Sequence, residues 1–173
     1  MRQFWTDVAW GDIDVMFVDM PPGTGDVQMG VAKMIPRAEV IVVTTPALAA
    51  QKVAERAVSM ARKSYLRVAG VIENMSSFTC DHGTSYALFG SGGGDALAEA
   101  AGTPLLARIP LEPDVVRGGD VGEPAALGDG AAAAAFRDLA EVVVSEAIPP
   151  VEMGGCTARL LEAVEASLDA ADA

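Results

Sequence analysis

Basic residues, cysteine and histidine are scarce in this chain of 173 residues. There are 12 Lys and Arg against 24 Asp and Glu, which gives a net charge of −12, with two cysteines and one histidine. The shortage of Lys and Arg argues against a nucleic-acid surface, because phosphate contacts need clusters of basic side chains. It argues equally against a polybasic membrane anchor. We therefore expect no nucleic acid and no membrane among the partners.

Long apolar runs and a cysteine framework are missing as well. No apolar run approaches the roughly 20 residues of a membrane-spanning helix, and the N-terminal residues lack the apolar core of a signal peptide. Two cysteines, Cys80 and Cys156, do not make a disulfide framework in a chain of this length. The expected location is therefore the reducing cytoplasm.

Apolar runs alternate with helical patterns along the chain. Continuous apolar or β-branched runs predict buried strands over residues 14–19, 39–46, 67–74 and 105–110. Apolar residues near helical spacing predict a helix over residues 47–64. Further helices are predicted over 27–35, which Pro36 stops, over 93–102, with Asp95 near its start and Gly102 after its end, and over the alanine-rich residues 131–147. The segments with little periodicity, which predict loops, are 75–94 and 111–130.

This alternation of strands and helices indicates an α/β fold, a parallel sheet with helices on both faces. The two prolines at 149 and 150 mark a break. We therefore expect one α/β domain over residues 1–148 and a C-terminal helical tail over residues 149–173.

Polar and turn-forming residues follow the predicted strands, where ligands bind in open parallel sheets. Asp19, in the stretch FVDMPPGTGD, could hold Mg²⁺, and Gly23 could offer its backbone N–H to a γ-phosphate. Asn74 carries the donor and acceptor that suit the edge of a base, and Pro110 ends the last strand. Two simpler alternatives remain open, an acid that satisfies loop amides at 19 and a turn-forming asparagine at 74.

A phosphate-binding loop is missing from these 173 residues, since the motif G-x-x-x-x-G-K-[ST] does not occur in them. The glycine-rich stretch FGSGGGD at 89–95 has no lysine and does not follow a predicted strand, so it predicts a flexible turn leading into a helix. Cys80 and His82, the one histidine, form a Cys-x-His pair that alone does not complete a tetrahedral metal site. The sequence around Cys156 predicts only an ordinary thiol at that position.

Five segments, taken in order, resemble the Mrp-type iron–sulfur cluster carrier ATPases, P-loop proteins related to the MinD and ParA ATPases. The segments, from about residue 3 to about residue 127, are WGDIDVMFVDMPPGTGDVQ, VIVVTTPALAAQKVAERA, VAGVIENMSSFTCDHG, LFGSGGGDALAEAAGTPLLARIPLEPDV and GGDVGEP. The resemblance implies a homodimeric ATPase that binds ATP and Mg²⁺ and passes an iron–sulfur cluster to client proteins. The resemblance implies that Asp19 is the Walker-B acid and Gly23 the γ-phosphate sensor. It implies also that Asn74 reads the adenine, that Pro110 lines the base pocket and that Cys80 is the first cluster cysteine.

Two departures from the family pattern change these expectations. The family has Cys-Pro-His-Cys where this chain has Cys80-Asp81-His82-Gly83. A symmetric dimer would therefore offer two cysteines, whereas a [4Fe–4S] cluster needs about four. His82 could serve as a substitute ligand. The family's Walker-A loop lies upstream of the segment 17–26, so we expect a partial P-loop NTPase fold without the Walker-A strand. We accordingly expect weak or no ATP binding by this chain alone.

Three functions remain open at this point. The first is the C-terminal portion of an Mrp-type carrier, inactive alone and able to dimerise with itself or with a full-length relative. The second is a MinD- or ParA-like positioning ATPase, which has no need of the loop at 75–94. The third is a non-catalytic module that dimerises with a full-length relative.

Overall fold

The computed structural model of the protein describes residues 2–21 and 25–148. Its strands are β1 (Glu39–Thr44), β2 (Arg67–Asn74), β3 (Phe78–Thr79), β4 (Ser85–Tyr86) and β5 (Leu105–Ile109). Its α-helices are α1 (Arg2–Thr6), α2 (Asp26–Met34), α3 (Leu48–Lys63), α4 (Gly93–Ala100), α5 (Pro113–Val121) and α6 (Ala131–Val142). A 3₁₀ turn spans Ala125–Leu127, and a π-helical turn, Val143–Ala147, continues α6. None of the described helices is both long and apolar enough to span a bilayer.

A three-stranded parallel sheet forms the centre of the fold. β2 lies in the middle and pairs with β1 on one side and β5 on the other. It takes this place because residues 69–73 are buried one after another, as expected for a parallel strand covered on both faces. β3 and β4 form a separate antiparallel hairpin beyond the end of β2.

Helices cover both faces of the sheet, as the alternation of segments predicts. The core beneath α3 and α4 contains Val42, Ala54, Val58, Val71, Leu97, Ala98 and Ala101. The core beneath α6 contains Ile72, Ile109 and Ala132, with the partly buried Phe136 and Leu139. Successive residues of β2 point to opposite faces, so one strand contributes to both cores.

Most predicted elements are confirmed, with small shifts at their ends. β1, β2 and β5 match the strands predicted at 39–46, 67–74 and 105–110, and α2, α3, α4 and α6 match the four predicted helices. The predicted tail at 149–173 lies outside the described residues. The domain boundary at 148 therefore stays a prediction.

The strand predicted at 14–19 is wrong. Residues 15–20 have no regular secondary structure, and Phe17 is 73% exposed. An apolar run becomes a strand only when another strand supplies its hydrogen-bond partners, and β1 pairs with β2 alone among the described residues.

The two predicted loops contain regular structure. Within 75–94 lies the β3–β4 hairpin, and within 111–130 lie α5 and the 3₁₀ turn. Two sequence signals mark the ends of α5, although its segment has little helical periodicity. Pro113 occupies its first turn, where its fixed φ fits, and Gly122 ends it in the left-handed conformation at φ 77°.

Among residues 2–21 and 25–148, no strand pairs with the outer edge of β1, and this edge predicts self-association of the chain. Val43 is 56% exposed on this edge strand, and unpaired strand edges join other chains. We expect light scattering after size exclusion to show oligomers, and Val43→Lys to shift the chain towards monomer. Val53→Lys is the control, because Val53 is similarly exposed, at 54%, but belongs to helix α3 and not to the edge strand. A monodisperse wild-type monomer would contradict the prediction.

Candidate functional site

The carboxyl ends of β2 and β5 bring two of the predicted site residues together. Asn74 and Ile109 are register partners, which puts Pro110 next to the end of β2. The pairing continues past the strands, because Ser76 donates its backbone N–H to the Ile109 carbonyl at 3.0 Å and Leu111 donates to the Ser77 carbonyl at 2.7 Å. The position of Asn74 relative to Pro110 is therefore fixed by backbone hydrogen bonds.

Asn74 also shapes the turn that follows it. Its Oδ1 accepts a hydrogen bond from the backbone N–H of Met75 at 2.9 Å, and Met75 has a φ of 56°. The left-handed residue is thus Met75 and not Asn74, although the Asn74 side chain takes part in the turn. The side chain of Asn74 is half-buried at the rim of the sheet, where a base could meet its amide.

Asp19, unlike Asn74, is not at the end of a strand. It is exposed in the irregular segment that precedes α2, and Gly23 lies outside the described residues. The end of the segment is held by Gln28, a buried residue of α2 whose Nε2 donates to the Pro21 carbonyl at 2.8 Å. The described residues therefore bring Asn74 and Pro110 together and leave Asp19 on a segment without regular structure.

Cys80 begins the tight turn of the β3–β4 hairpin. Its backbone N–H donates to the Thr84 carbonyl at 3.0 Å, and its carbonyl accepts from the N–H of Gly83 at 2.8 Å. This is the bonding of a three-residue hairpin loop whose last residue is left-handed, and Gly83 has a φ of 78°. The residue that replaces the family's second cysteine is therefore also the residue that this turn requires.

The hairpin turn favours the thiolate form of Cys80. The backbone N–H of His82, and then that of Thr84, lower the pKa of the half-buried Cys80 thiol below its ordinary value. The thiolate is the form of cysteine that binds metals. Within residues 2–21 and 25–148, no group of three or more His, Cys, Asp or Glu side chains could hold a metal ion. One copy of the described chain therefore offers Cys80 and His82 without completing a site.

Glu73 is a buried acid that sequence reasoning missed. Its side chain is 2% exposed, and its Oε2 accepts a hydrogen bond from the backbone N–H of Gly94 at 2.6 Å. Arg108 on β5 places its Nε 3.7 Å from Glu73 Oε1 and donates through Nη2 to both carboxylate oxygens of Asp95, at 2.6 and 2.5 Å. The sequence signal that could have revealed Glu73 is its place within the apolar run RVAGVIEN. An acid in a buried strand needs hydrogen-bond or charge partners, so its presence there predicts such partners.

The glycine-rich stretch at 89–95 leads into a helix as predicted, but its last glycines are packed and not flexible. A Cβ on Gly94 would lie 2.7 Å from the Cβ of Glu73, and one on Gly93 would lie 2.5 Å from the carbonyl oxygen of Pro46. Both glycines are buried at the start of α4. They allow the helix to approach the ends of β1 and β2 closely.

Comparison with known proteins gives a family and several relatives. The family model described as ParA, NUBPL iron-transfer P-loop NTPase, matches residues 1–144. Relatives named iron–sulfur cluster carrier protein include one from Mycobacterium tuberculosis, 52% identical over 133 residues, and one from Helicobacter pylori, 46% identical over 125 residues. These alignments cover 73% and 72% of this chain but only 35% and 34% of the relatives. The chain thus spans about a third of the length of these proteins.

Solved structures give the same fold. A nucleotide-binding protein from Archaeoglobus fulgidus in complex with ADP matches with a TM-score of 0.63 and 34% identity, over 70% of this chain and 51% of that chain. The MinD cell division protein of Aquifex aeolicus matches with a TM-score of 0.52 and 22% identity, over 72% of this chain and 50% of that chain. The second likeness shows the fold alone. Together they confirm the predicted α/β fold with a parallel sheet.

Proposed function

Since the chain belongs to the family of NUBPL iron-transfer P-loop NTPases, we propose that it forms part of a cytoplasmic iron–sulfur cluster carrier with its cargo at Cys80. The observation that carries this proposal is the position of Cys80. It lies on a hairpin that follows β2 after residues 75–77, on the segment that leaves the sheet at Asn74. A cargo ligand and a nucleotide would thus meet at one end of one sheet.

The cargo would be held weakly in this chain. Each copy contributes the Cys80 thiolate, so a symmetric homodimer supplies two cysteines where a cubane cluster uses about four. His82 could add nitrogen ligands, and dimerisation with a full-length relative could add cysteines. Weak retention suits a protein that passes its cluster on to client proteins.

The nucleotide would be held at its base by Asn74 and Pro110. The amide of Asn74 can donate to and accept from a base edge, and Pro110 beside it would offer the base an apolar surface. The phosphate end is a poor fit, because Asp19 is exposed on an irregular segment and no P-loop motif occurs in the 173 residues. We propose that Asp19 and Gly23 serve Mg²⁺ and the γ-phosphate only when a phosphate-binding loop is supplied beside them.

A positioning ATPase of the MinD or ParA type is the less favoured alternative. The fold is compatible with it, since MinD proteins share this architecture. The Cys80 hairpin, however, has a thiolate-favouring turn for which a positioning switch has no evident use. This feature favours the carrier.

The proposal predicts that iron binding depends on Cys80. After anaerobic reconstitution with iron and sulfide and a desalting step, we expect the wild-type chain to retain less than one cluster per dimer, because the ligand set is short. Cys80→Ser should remove this residual iron and sulfide, since a hydroxyl is a poor ligand for iron–sulfur clusters. Cys156→Ser is the matched control and should leave both unchanged. Equal retention by wild type and Cys80→Ser would refute the proposed cargo site.

A further inference from the structure

The segment that carries Cys80 is a long excursion whose two ends lie side by side. We name residues 75–92 the Cys80 loop. It leaves the sheet after Asn74 at the end of β2 and returns at Gly93, where α4 begins. The contact between Glu73 Oε2 and the backbone N–H of Gly94, 2.6 Å long, joins the residues that flank these ends.

The contact at the base of the loop is buried and tightly packed. Glu73 is almost fully buried, and Gly94 has no room for a side chain against it. Arg108 adds a second connection, since it approaches Glu73 and pairs with Asp95 in the first turn of α4. The start of α4 is thereby tied to the central strand and to β5.

We propose that Glu73 is a positioning residue that closes the base of the Cys80 loop and so fixes the place of the Cys80 hairpin above the sheet. The hairpin's own hydrogen bonds, from Cys80 to Thr84 and from Gly83 to Cys80, hold its shape. They do not hold its position, which depends on how the loop is attached to the body. The backbone hydrogen bonds of Ser76 and Ser77 hold its first part beside β5, and the contact between Glu73 and Gly94 holds its return at α4. The inference rests on the proposed function only in taking Cys80 as the cargo ligand.

A second carboxylate cap, at an exposed helix start, provides a control. Glu112 accepts a hydrogen bond through Oε1 from the backbone N–H of Ala131 at 3.0 Å, and a Cβ on Gly130 would lie 2.6 Å from its Oε2. This is the same chemistry at the start of α6, a carboxylate on a helix N-terminus against a glycine. Loss of this cap should destabilise a helix without releasing the Cys80 loop.

The test is a distance measurement between the hairpin and the body of the protein. In a Cys156→Ser background, nitroxide labels are attached to Cys80 and to an introduced cysteine, Lys52→Cys, at an exposed position of α3. The labelled full chain is diluted with unlabelled chain, so that only intramolecular distances are read by double electron–electron resonance. Hydrogen exchange of the Cys80 and Gly83 amides reports separately on the integrity of the hairpin.

Removing the acceptor should broaden the distance distribution. We expect this for Glu73→Met, which keeps the volume but loses the acceptor, and for Glu73→Asp, whose shorter side chain cannot reach the Gly94 amide. Glu73→Gln keeps an acceptor oxygen and should restore a distribution close to wild type. Glu112→Met should leave the distribution narrow. The hairpin amides should exchange at the wild-type rate throughout, while the Gly94 amide in Glu73→Met exchanges on the order of tenfold faster or more.

Two results would overturn the proposal. One is a distribution of label-to-label distances in both Glu73→Met and Glu73→Asp that is as narrow as in the wild type. The other is a distribution in Glu112→Met as broad as in Glu73→Met, which would indicate a general loosening of the fold. If Glu73→Met does not fold, the comparison of Glu73→Asp with Glu73→Gln decides. The measurement contains no iron, so it can succeed while the Cys80→Ser test fails. In that case Glu73 would still position the loop, and the cargo assignment alone would fall.

Discussion

The 173-residue chain, assayed alone, is expected to release no phosphate from ATP in a Mg²⁺-dependent manner. Catalysis of phosphoryl transfer consists almost entirely of positioning the phosphates and stabilising their charge. A P-loop supplies most of that in this class of protein, and no P-loop motif occurs in this sequence. Enzymes accelerate reactions by at least about 10⁶-fold over the uncatalysed rate. A chain that lacks the phosphate-binding loop should therefore show no measurable ATP hydrolysis.

The structure strengthens the expectation for Asp19. A Walker-B acid acts from the end of a paired strand, whereas Asp19 is exposed on a segment without regular structure. The measurement is phosphate release by the purified chain, with Asp19→Ala compared with Asp14→Ala, an exposed acid of the same segment. Turnover that Asp19→Ala abolishes and Asp14→Ala leaves intact would show that this chain builds a competent site without the motif.

Restoring the second cysteine should raise iron retention strongly. Gly83→Cys recreates the two-cysteine spacing of the family, so a symmetric dimer would offer four thiolates, the usual number for a cubane cluster. The structure adds a cost that the sequence does not reveal. Gly83 has a φ of 78°, and a side chain in this left-handed region costs roughly 1–2 kcal/mol, although the space around it is open.

We expect the gain in ligation to exceed this cost, because metal–thiolate binding contributes on the order of 10 kcal/mol in small metal sites. Iron and sulfide after anaerobic reconstitution and desalting should therefore rise in Gly83→Cys, while its metal-free hairpin exchanges amide hydrogens faster. Asp81→Cys is the control, since it adds a thiol to the same turn without the family spacing. Equal gains in the two variants, or no gain in Gly83→Cys, would show that ligand spacing is not what limits cluster binding.

The sequence by itself determined the elements whose signals are local. β2 was predicted with its observed bounds because an apolar, β-branched run buried on both faces has the same signature wherever it lies in the chain. Helix α3 followed from apolar spacing, and α4 from Asp95 near its start and Gly102 after its end. The place of Asn74 and Pro110 at one end of the sheet followed too, since parallel strands end at one edge, whereas their adjacency came from the pairing of β2 with β5.

Contacts between distant parts of the chain were decided only by the tertiary structure. The run at 14–19 has the composition of a strand, but pairing is a property of two segments, and no described neighbour pairs with it. Glu73 and Gly94 lie 21 positions apart, and only packing reveals that one bonds the other. The conformation of Gly83 likewise depends on the hairpin around it. Local patterns fix what a segment can become, whereas burial, pairing and backbone dihedral angles depend on which other segments it meets.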